Sequence, residues 1–216
     1  MRLLLTAGPT REAIDPVRYI SNRSSGRMGY AIAAAAAARG HEVVLVTGPV
    51  AIPAPAPLAD RVPVESAREM YDAVRDRIGG CDAAIFCAAV ADYRPVQIAE
   101  QKIKKTGDRL TLELEKTEDI LGSARLVFGF SGVLVGFAAE TEQVETHARA
   151  KLEKKSCDLI VANDVSRPGV GFDAEENEVR LFFADGHAES LGRQSKAEIG
   201  QKLVEIVEGL VKGGRL

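Results

Sequence analysis

At 216 residues, with 46% hydrophobic and 27% charged side chains and a net charge of -3, the chain is long enough for one large core. It is expected to fold as a single domain over residues 1–216. The slight acidity, with no basic stripe interleaved with aromatics, excludes a general nucleic-acid surface, and no apolar run nears the ~20 residues of a membrane span. Residues 1–6 enter a strand pattern at once, leaving no room for a signal peptide, so a cytoplasmic protein is expected. The three cysteines, Cys81, Cys87 and Cys157, form no CxxC and no disulfide framework, and read as buried or half-buried thiols.

In chain order, residues 1–6 are a near-continuous apolar strand, buried on both faces. A long polar stretch follows, AGPTREAIDPVRYISNRSSGRMG over residues 7–29. Its glycines (Gly8, Gly26, Gly29), hydroxyls (Ser24, Ser25) and arginines suit phosphate or carboxylate binding at a helix start. Loops this long inside a domain are uncommon and usually functional. Residues 28–39 form an alanine-rich helix with Gly40 as its left-handed cap. A second strand spans residues 43–46, and Pro53, Pro55 and Pro57 mark an extended connection. A short strand at 61–64 and a helix from an N-cap at Ser66 to about Ile78 come next. Residues 83–88 are another buried strand, leading into a second long loop at 90–108. Leu110, Leu112 and Leu114 alternate with polar residues, the pattern of a strand with one wet face. Thr117 is placed to cap a short helix ending near Arg125. A strand at 133–138, a charged helix at 142–155 and a strand at 159–162 precede a hairpin, 178–183 and 187–191, turning at Asp185-Gly186. Residues 195–211 close the chain as an amphipathic helix. Strands alternating with helices, most strands buried, predict an α/β fold: a Rossmann-like, doubly wound, mostly parallel sheet with a C-terminal antiparallel hairpin.

The chemistry is read partly by exclusion. The dinucleotide fingerprint GxGxxG is absent from the first turn, and the second strand ends Thr47-Gly48-Pro49 with no acid for a ribose. No tyrosine has a lysine four residues on, and no Walker A loop occurs. The three histidines, His41, His147 and His187, read as surface or structural residues, and no His/Cys cluster suggests a metal. What remains is charge: Lys102, Lys104 and Lys105 in the second loop, and Lys151 and Lys155 on one helix face. Such arrays can neutralise a triphosphate and its departing pyrophosphate. An NAD(P)-linked reductase and a non-catalytic nucleotide sensor are the competing readings.

Several motifs in fixed order are more specific. The stretch at 7–29, AAVADYR at 88–94, KIKK at 102–105, VGFAAET at 135–141 and DLIVANDVS at 158–166 resemble bacterial phosphopantothenoylcysteine synthetase, and the resemblance covers essentially the whole chain. It implies a ligase of coenzyme A biosynthesis that joins 4′-phosphopantothenate to L-cysteine through an acyl-cytidylate made from CTP, with Mg²⁺ and without flavin. It also implies a homodimer, and a phosphopantothenoylcysteine decarboxylase as a fused or separate partner. The residues it implies are Asn22 for the second step, Arg18 for the phosphate or carboxylate of the acid, and Lys102 on a mobile loop that closes on the triphosphate. Phe86, Cys87, Ala88 and Asp92 would line the nucleotide, with backbone groups reading the cytosine edge. Glu118, Asp119, Ile120, Leu121, Phe137, Lys151 and Lys155 would complete the CTP site. Glu118 stands where the family usually has proline, and Arg27 where it usually has lysine. Two further expectations concern surfaces. The hairpin residues Leu181, Phe182 and Phe183 are expected to be exposed in a monomer and to form the dimer contact. Residues 97–107 are expected to be mobile without nucleotide.

Overall fold

The apolar run RLLLTA is buried from Leu3 onward and forms β1 (Arg2–Ala7), an interior strand paired on both sides. The structure is a computed structural model and describes residues 1–105, 107–164 and 174–213. After β1 come β2 (Arg11–Ala13), β3 (Tyr19–Ser21), α1 (Arg27–Ala38), β4 (Glu42–Thr47), β5 (Asp60–Pro63), α2 (Ala67–Arg77) and β6 (Ala83–Phe86). The chain continues through β7 (Tyr93–Pro95), β8 (Leu114–Lys116), α3 (Ile120–Leu126), β9 (Val133–Glu140), α4 (Val144–Lys154) and β10 (Leu159–Asp164). It ends in β11 (Glu176–Phe183), β12 (Ala188–Ser195) and α5 (Lys196–Gly213).

The main sheet has eight strands in the order β12-β11-β10-β9-β6-β1-β4-β5. From β5 to β10 every pairing is parallel, and β11 and β12 add an antiparallel edge. This is the doubly wound sheet predicted, C-terminal hairpin included. The alternation of strand side chains sorts the core into two layers. Leu3, Leu5, Val161 and Leu181 pack under α1 and α5, whereas Leu4, Leu134, Ile160 and Phe182 pack under α2, α3 and α4. Among the described residues no helix is long and apolar enough to cross a membrane.

Local signals hold at several ends. Gly40 is left-handed at φ 79°, and the Ser66 hydroxyl accepts the Glu69 N–H at the start of α2. Other expectations are corrected. Residues 7–29 are not one irregular loop, because β2 and β3 pair as a small hairpin. Its turn is built by Asp15, whose Oδ1 accepts the N–H groups of Val17 and Arg18 at 2.9 and 2.8 Å. Asp before Pro16 carries that turn signal. Only Leu114–Lys116 of the alternating stretch is a strand, and it pairs with β7 apart from the main sheet. The ladder with β7 runs from Leu114 to Lys116, and beyond it only the Val96 N–H to Glu113 O bond continues the pairing. Thr117 does not cap α3. Its hydroxyl donates to the Ala91 carbonyl at 2.6 Å, and Asp119 is the cap. Leu181 and Phe182 are fully buried, because β11 is part of the main sheet and helices pack on both of its faces, α5 on the side of Leu181 and α4 on that of Phe182. They offer no surface for a dimer. The expectations at Val165, Ser166 and Gly214 lie outside the described residues.

The last helix is tied to the first by charge. Arg39, the C-cap of α1, donates Nε and Nη2 to Glu208 on α5 at 2.9 and 2.8 Å, and His41 Nε2 lies 2.6 Å from the same carboxylate. Arg39 first, then His41, hold the Glu208 carboxyl down from its ordinary 4.5 to about 2. A depressed carboxyl stabilises the fold above its ordinary value and loses that contribution as pH falls through its folded value. Glu208→Gln should therefore lower the urea midpoint at neutral pH. The gap from the parent chain should close as pH falls from about 4.5 towards about 2. A gap that stays constant over that range would show that the ion pair contributes nothing.

Candidate active site

Strand order reverses between β1 and β6: the chain winds outward from β1 through β4 to β5, then from β6 through β9 to β10. Loops leaving two such strands diverge, and a crevice opens at their carboxyl ends. Here the two loops are also sewn together. Cys87 and Ala88 donate their N–H groups to the Thr6 carbonyl and hydroxyl, both at 3.2 Å, and Ala89 N–H reaches Gly8 O at 2.9 Å. Thr10 N–H returns to Ala89 O at 3.2 Å, and Ala91 N–H bonds the Thr10 hydroxyl at 2.9 Å. The Asn22 amide closes the seam, donating to Ala89 O at 3.0 Å and to Val90 O at 3.1 Å. Around this seam lies a cavity of about 820 Å³.

One wall is the start of α1. Its N-cap is Gly26, left-handed at φ 76°, with no side-chain cap and no acid in the first turn. The first intrahelical bond is Tyr30 N–H to Gly26 O at 3.0 Å, so the amides of Arg27, Met28 and Gly29 are left for an anion. Gly29 lets the helix approach this closely, since a Cβ there would sit 2.6 Å from the Ala7 Cβ. Lys196, the first residue of α5, lines the same wall although only 6% exposed. Asn163, at the end of β10, shares the alternation of Leu159 and Val161 and so faces the α5 side. It is 8% exposed, and its Oδ1 is buried without a hydrogen-bond partner. Burial pushes the nearby Cys87 thiol up to about 12 against the pull of the Lys196 charge, so this sulfur is not a nucleophile at neutral pH.

The opposite wall is the start of α3 and the end of α4. Asp119 accepts the Gly122 N–H with Oδ1 at 2.9 Å and pairs through Oδ2 with Lys155. Lys151 donates to the Phe137 carbonyl at 2.8 Å, and burial holds its ammonium below the ordinary lysine value. Glu118 turns its carboxylate to Arg94 at 3.1 and 3.0 Å and to Arg68 at 3.1 Å. Burial pushes that carboxyl up, but its backbone hydrogen bond and the two guanidinium groups outweigh it and the net shift is downward. The residue in the usual proline position is thus fixed by salt bridges, and its backbone still leads into α3.

Of the residues predicted from sequence, the fold brings Asn22, Phe86, Cys87, Ala88, Asp92, Phe137, Lys151 and Lys155 to this cavity, together with residues 118–121. It does not bring Arg18 or Lys102 there. Arg18 is bound to Asp15, Nε at 3.0 and Nη2 at 2.5 Å, and to the Ile103 carbonyl at 3.1 Å. Lys102 is exposed outside the cavity lining. The N–H groups of Cys87 and Ala88 are bonded to Thr6, so of the backbone groups expected to read a base edge their carbonyl oxygens are the candidates. Sequence reasoning missed Asn163 and Lys196. Lys196 had a signal: it falls on the apolar stripe of α5 with Ile199, Leu203 and Val207, where a lysine is out of place. The histidines stay outside: His41 and His147 pair with Glu208 and Glu140, and His187 lies against Phe183.

A model of the family described as the DNA/pantothenate metabolism flavoprotein C-terminal domain matches residues 1–210. The chain belongs to that family. It is 50% identical over 211 residues to the coenzyme A biosynthesis bifunctional protein CoaBC of Vibrio vulnificus, covering 97% of this chain and 52% of the relative. The chain thus spans about half the length of the curated relatives it matches. Among solved structures, the C-terminal domain of a CoaBC protein is similar at 40% identity and TM-score 0.82, over 99% of this chain and 96% of that one. The DNA/pantothenate metabolism flavoprotein from Streptococcus pneumoniae is 26% identical with a TM-score of 0.83, over 97% and 99% of the two chains. The doubly wound sheet is therefore the fold of the DNA/pantothenate metabolism flavoprotein C-terminal domain.

Proposed function

We propose that this domain joins 4′-phosphopantothenate to L-cysteine, with CTP as the activating nucleotide and an acyl-cytidylate between the two half-reactions. The observation that carries the reading is the pairing of two cationic walls across the Asn22 seam: the uncapped start of α1 with Lys196 on one side, and Lys151 with Lys155 on the other. The name of the Vibrio relative, a bifunctional protein of coenzyme A biosynthesis, supports the same pathway.

In the first step the substrate carboxylate oxygen bonds the α-phosphorus as the bond to pyrophosphate breaks. The amides of Arg27, Met28 and Gly29, with the Lys196 ammonium, take up the charge of the departing pyrophosphate. Asp119, Lys151 and Lys155 hold the nucleoside half, and the Cys87 and Ala88 carbonyls accept from the base amino group. In the second step the cysteine amine attacks the acyl carbon, the acyl–oxygen bond breaks, and CMP leaves. The Asn22 amide faces the oxygen on which charge develops. One of its two bonds must open for this, and Ala89 O retains Thr10 N–H when it does.

Among the described residues no cluster of His, Cys, Asp and Glu forms a metal cage. Mg²⁺ is commonly held by one or two carboxylates, substrate phosphates and waters; here Asn163 Oδ1, without a partner among the described residues, would offer it one neutral oxygen beside the phosphates. When bound, Mg²⁺ would supply neutralising charge on the phosphates. The reading gives this domain no flavin; flavin chemistry goes with the decarboxylase half that the resemblance implies. The described strands share one sheet with two small hairpins, in keeping with residues 1–216 acting as one unit, and a cytoplasmic location goes with the pathway.

The test is pyrophosphate release with phosphopantothenate and CTP or ATP in turn, with and without cysteine. Pyrophosphate should form with CTP in the absence of cysteine, and CMP should appear only when cysteine is added. Release that requires cysteine, or none with any nucleotide, would sink the reading.

A homodimer remains part of the proposal, on a different face. Val17, Tyr19, Tyr93, Ile98, Leu110 and Leu114 are exposed large apolar side chains, all on or beside the β2–β3 and β7–β8 hairpins. Apolar patches of this kind usually mark an interface, and a second copy is the occupant proposed. Ile98→Glu should convert a dimer into a monomer in sedimentation at micromolar concentration. A parent chain already monomeric there would count against the dimer.

A further inference from the structure

We propose that Asp15 is a positioning residue that helps anchor the lysine-bearing arm following β7, pinned at Ala99 and Ile103, and acts on the nucleotide through Lys102. The inference rests on the nucleotide-transfer reading above. The arm leaves β7 and returns at β8, strands of three residues each, with Val96 N–H bonded to Glu113 O at 3.0 Å at its root. Beyond the root it is pinned to the tip of the β2–β3 hairpin. Ala99 N–H donates to Ile14 O at 3.0 Å, and Ile103 N–H donates to Asp15 Oδ2 at 3.1 Å. Arg18 Nη2 completes the pin on the Ile103 carbonyl at 3.1 Å. Both polar atoms of the Ile103 backbone are thus held by the Asp15–Arg18 pair.

The Asp15 side chain is fully buried, which is costly for a carboxylate unless its oxygens are satisfied. They are: Oδ1 takes the Val17 and Arg18 amides, and Oδ2 takes the Arg18 guanidinium and Ile103 N–H. The Arg18 guanidinium first, against burial and with the backbone amides, holds the carboxyl well below the usual carboxylate range, so it is ionised at neutral pH. A fixed negative charge therefore sits beside the backbone of a segment whose side chains at Lys102, Lys104 and Lys105 are all exposed.

The arrangement separates anchor from reach. Ile103 fixes where the arm passes, and the adjacent Lys102 side chain remains able to swing towards a phosphate. The same hairpin continues through β3 to Asn22, so the pin also sets the distance between the basic arm and the seam where the two half-reactions meet. Arg18, which the resemblance assigns to a substrate anion, serves here to hold the Asp15 carboxylate and Ile103. Misplacing a reacting or neutralising group by about an ångström can cost on the order of a hundredfold in rate, so an anchor remote from the phosphates can matter.

The test compares Asp15→Ala with Ile103→Pro, the second removing the anchored N–H while sparing the buried ion pair should the first fail to fold, with Ile103→Ala as the control for the lost side chain. Trypsin cleavage after Lys104 and Lys105 in the nucleotide-free protein should become about tenfold faster in each of the first two that folds, as expected when local opening becomes easier. Each should also raise the KM for CTP about tenfold in pyrophosphate release, and neither should add to the loss caused by Lys102→Gln when combined with it. Unchanged cleavage in Ile103→Pro, or losses that multiply with Lys102→Gln, would overturn the proposal. A parent chain that releases no pyrophosphate would instead remove the nucleotide reading, and cleavage would still decide whether Asp15 holds the arm.

Discussion

Asn22→Asp is expected to leave pyrophosphate release from CTP within a few-fold of the parent chain and to cut amide formation by roughly a hundred- to a thousandfold, the range seen on losing an oxyanion donor. The substitution is nearly isosteric, but it removes both N–H donors that hold the seam at Ala89 O and Val90 O. It also places a carboxylate where negative charge develops on the acyl oxygen. That charge appears only when the amine attacks, so activation is spared. On the proposed reading the phosphates engaged in activation are held by the start of α1 and Lys196, and Thr10 still joins the two loops through Ala89 O. Quenched single turnovers with labelled CTP should show acyl-cytidylate accumulating while CMP does not form. Equal loss of both half-reactions would mean that Asn22 holds the loops together and does nothing more specific.

Lys196→Met is expected to act on the opposite half-reaction. The side chain is nearly buried, begins α5 and lines the cavity beside the uncapped start of α1. Methionine keeps much of its length and fits the apolar stripe, so the helix should remain packed, and a thermal melt checks this. What is removed is one nearly buried positive charge in the cavity lining, which the proposed reading sets against the phosphates. In a site shielded from water such a charge is worth far more than at the surface, and its loss should slow pyrophosphate release about a hundredfold. A rate within twofold of the parent chain, in a protein that still melts cooperatively, would remove Lys196 from the site. The ratio of the two half-reactions in the two variants is the sharpest test of the division proposed here: Asn22 at the acyl carbon, Lys196 at the leaving phosphates.

Much of this was legible along the chain. Buried runs such as RLLLTA and EVVLVT can only be interior strands, because both faces are apolar. Ser66 and Gly40 mark helix ends through chemistry confined to a few neighbouring residues. The glycine- and serine-rich approach likewise marks the start of α1, which the structure shows without a side-chain cap. Twelve of the fourteen residues assigned from sequence motifs line one cavity, because they sit at strand ends or on the loops that leave them.

Tertiary structure decided the partners. Leu110, Leu112 and Leu114 have a strand's alternation, yet only Leu114–Lys116 pairs, because pairing needs a neighbouring edge that sequence does not supply. Leu181 and Phe182 look like the face of a free hairpin until β11 is seen to join the main sheet beside β10, with helices packed on both faces. Arg18 reads as an anion ligand for a substrate, and the fold pairs its Nε and Nη2 with the buried Asp15, three residues away, outside the cavity lining. Lys196 and Asn163 are thirty-three positions apart, and only the folded chain brings both to one cavity. Sequence by itself determined which segments must be buried and which helix end would attract an anion, since burial and capping depend on local pattern. Which charges are spent within the fold, and which remain for a ligand, depends on distances between remote segments, and only the folded chain fixes those.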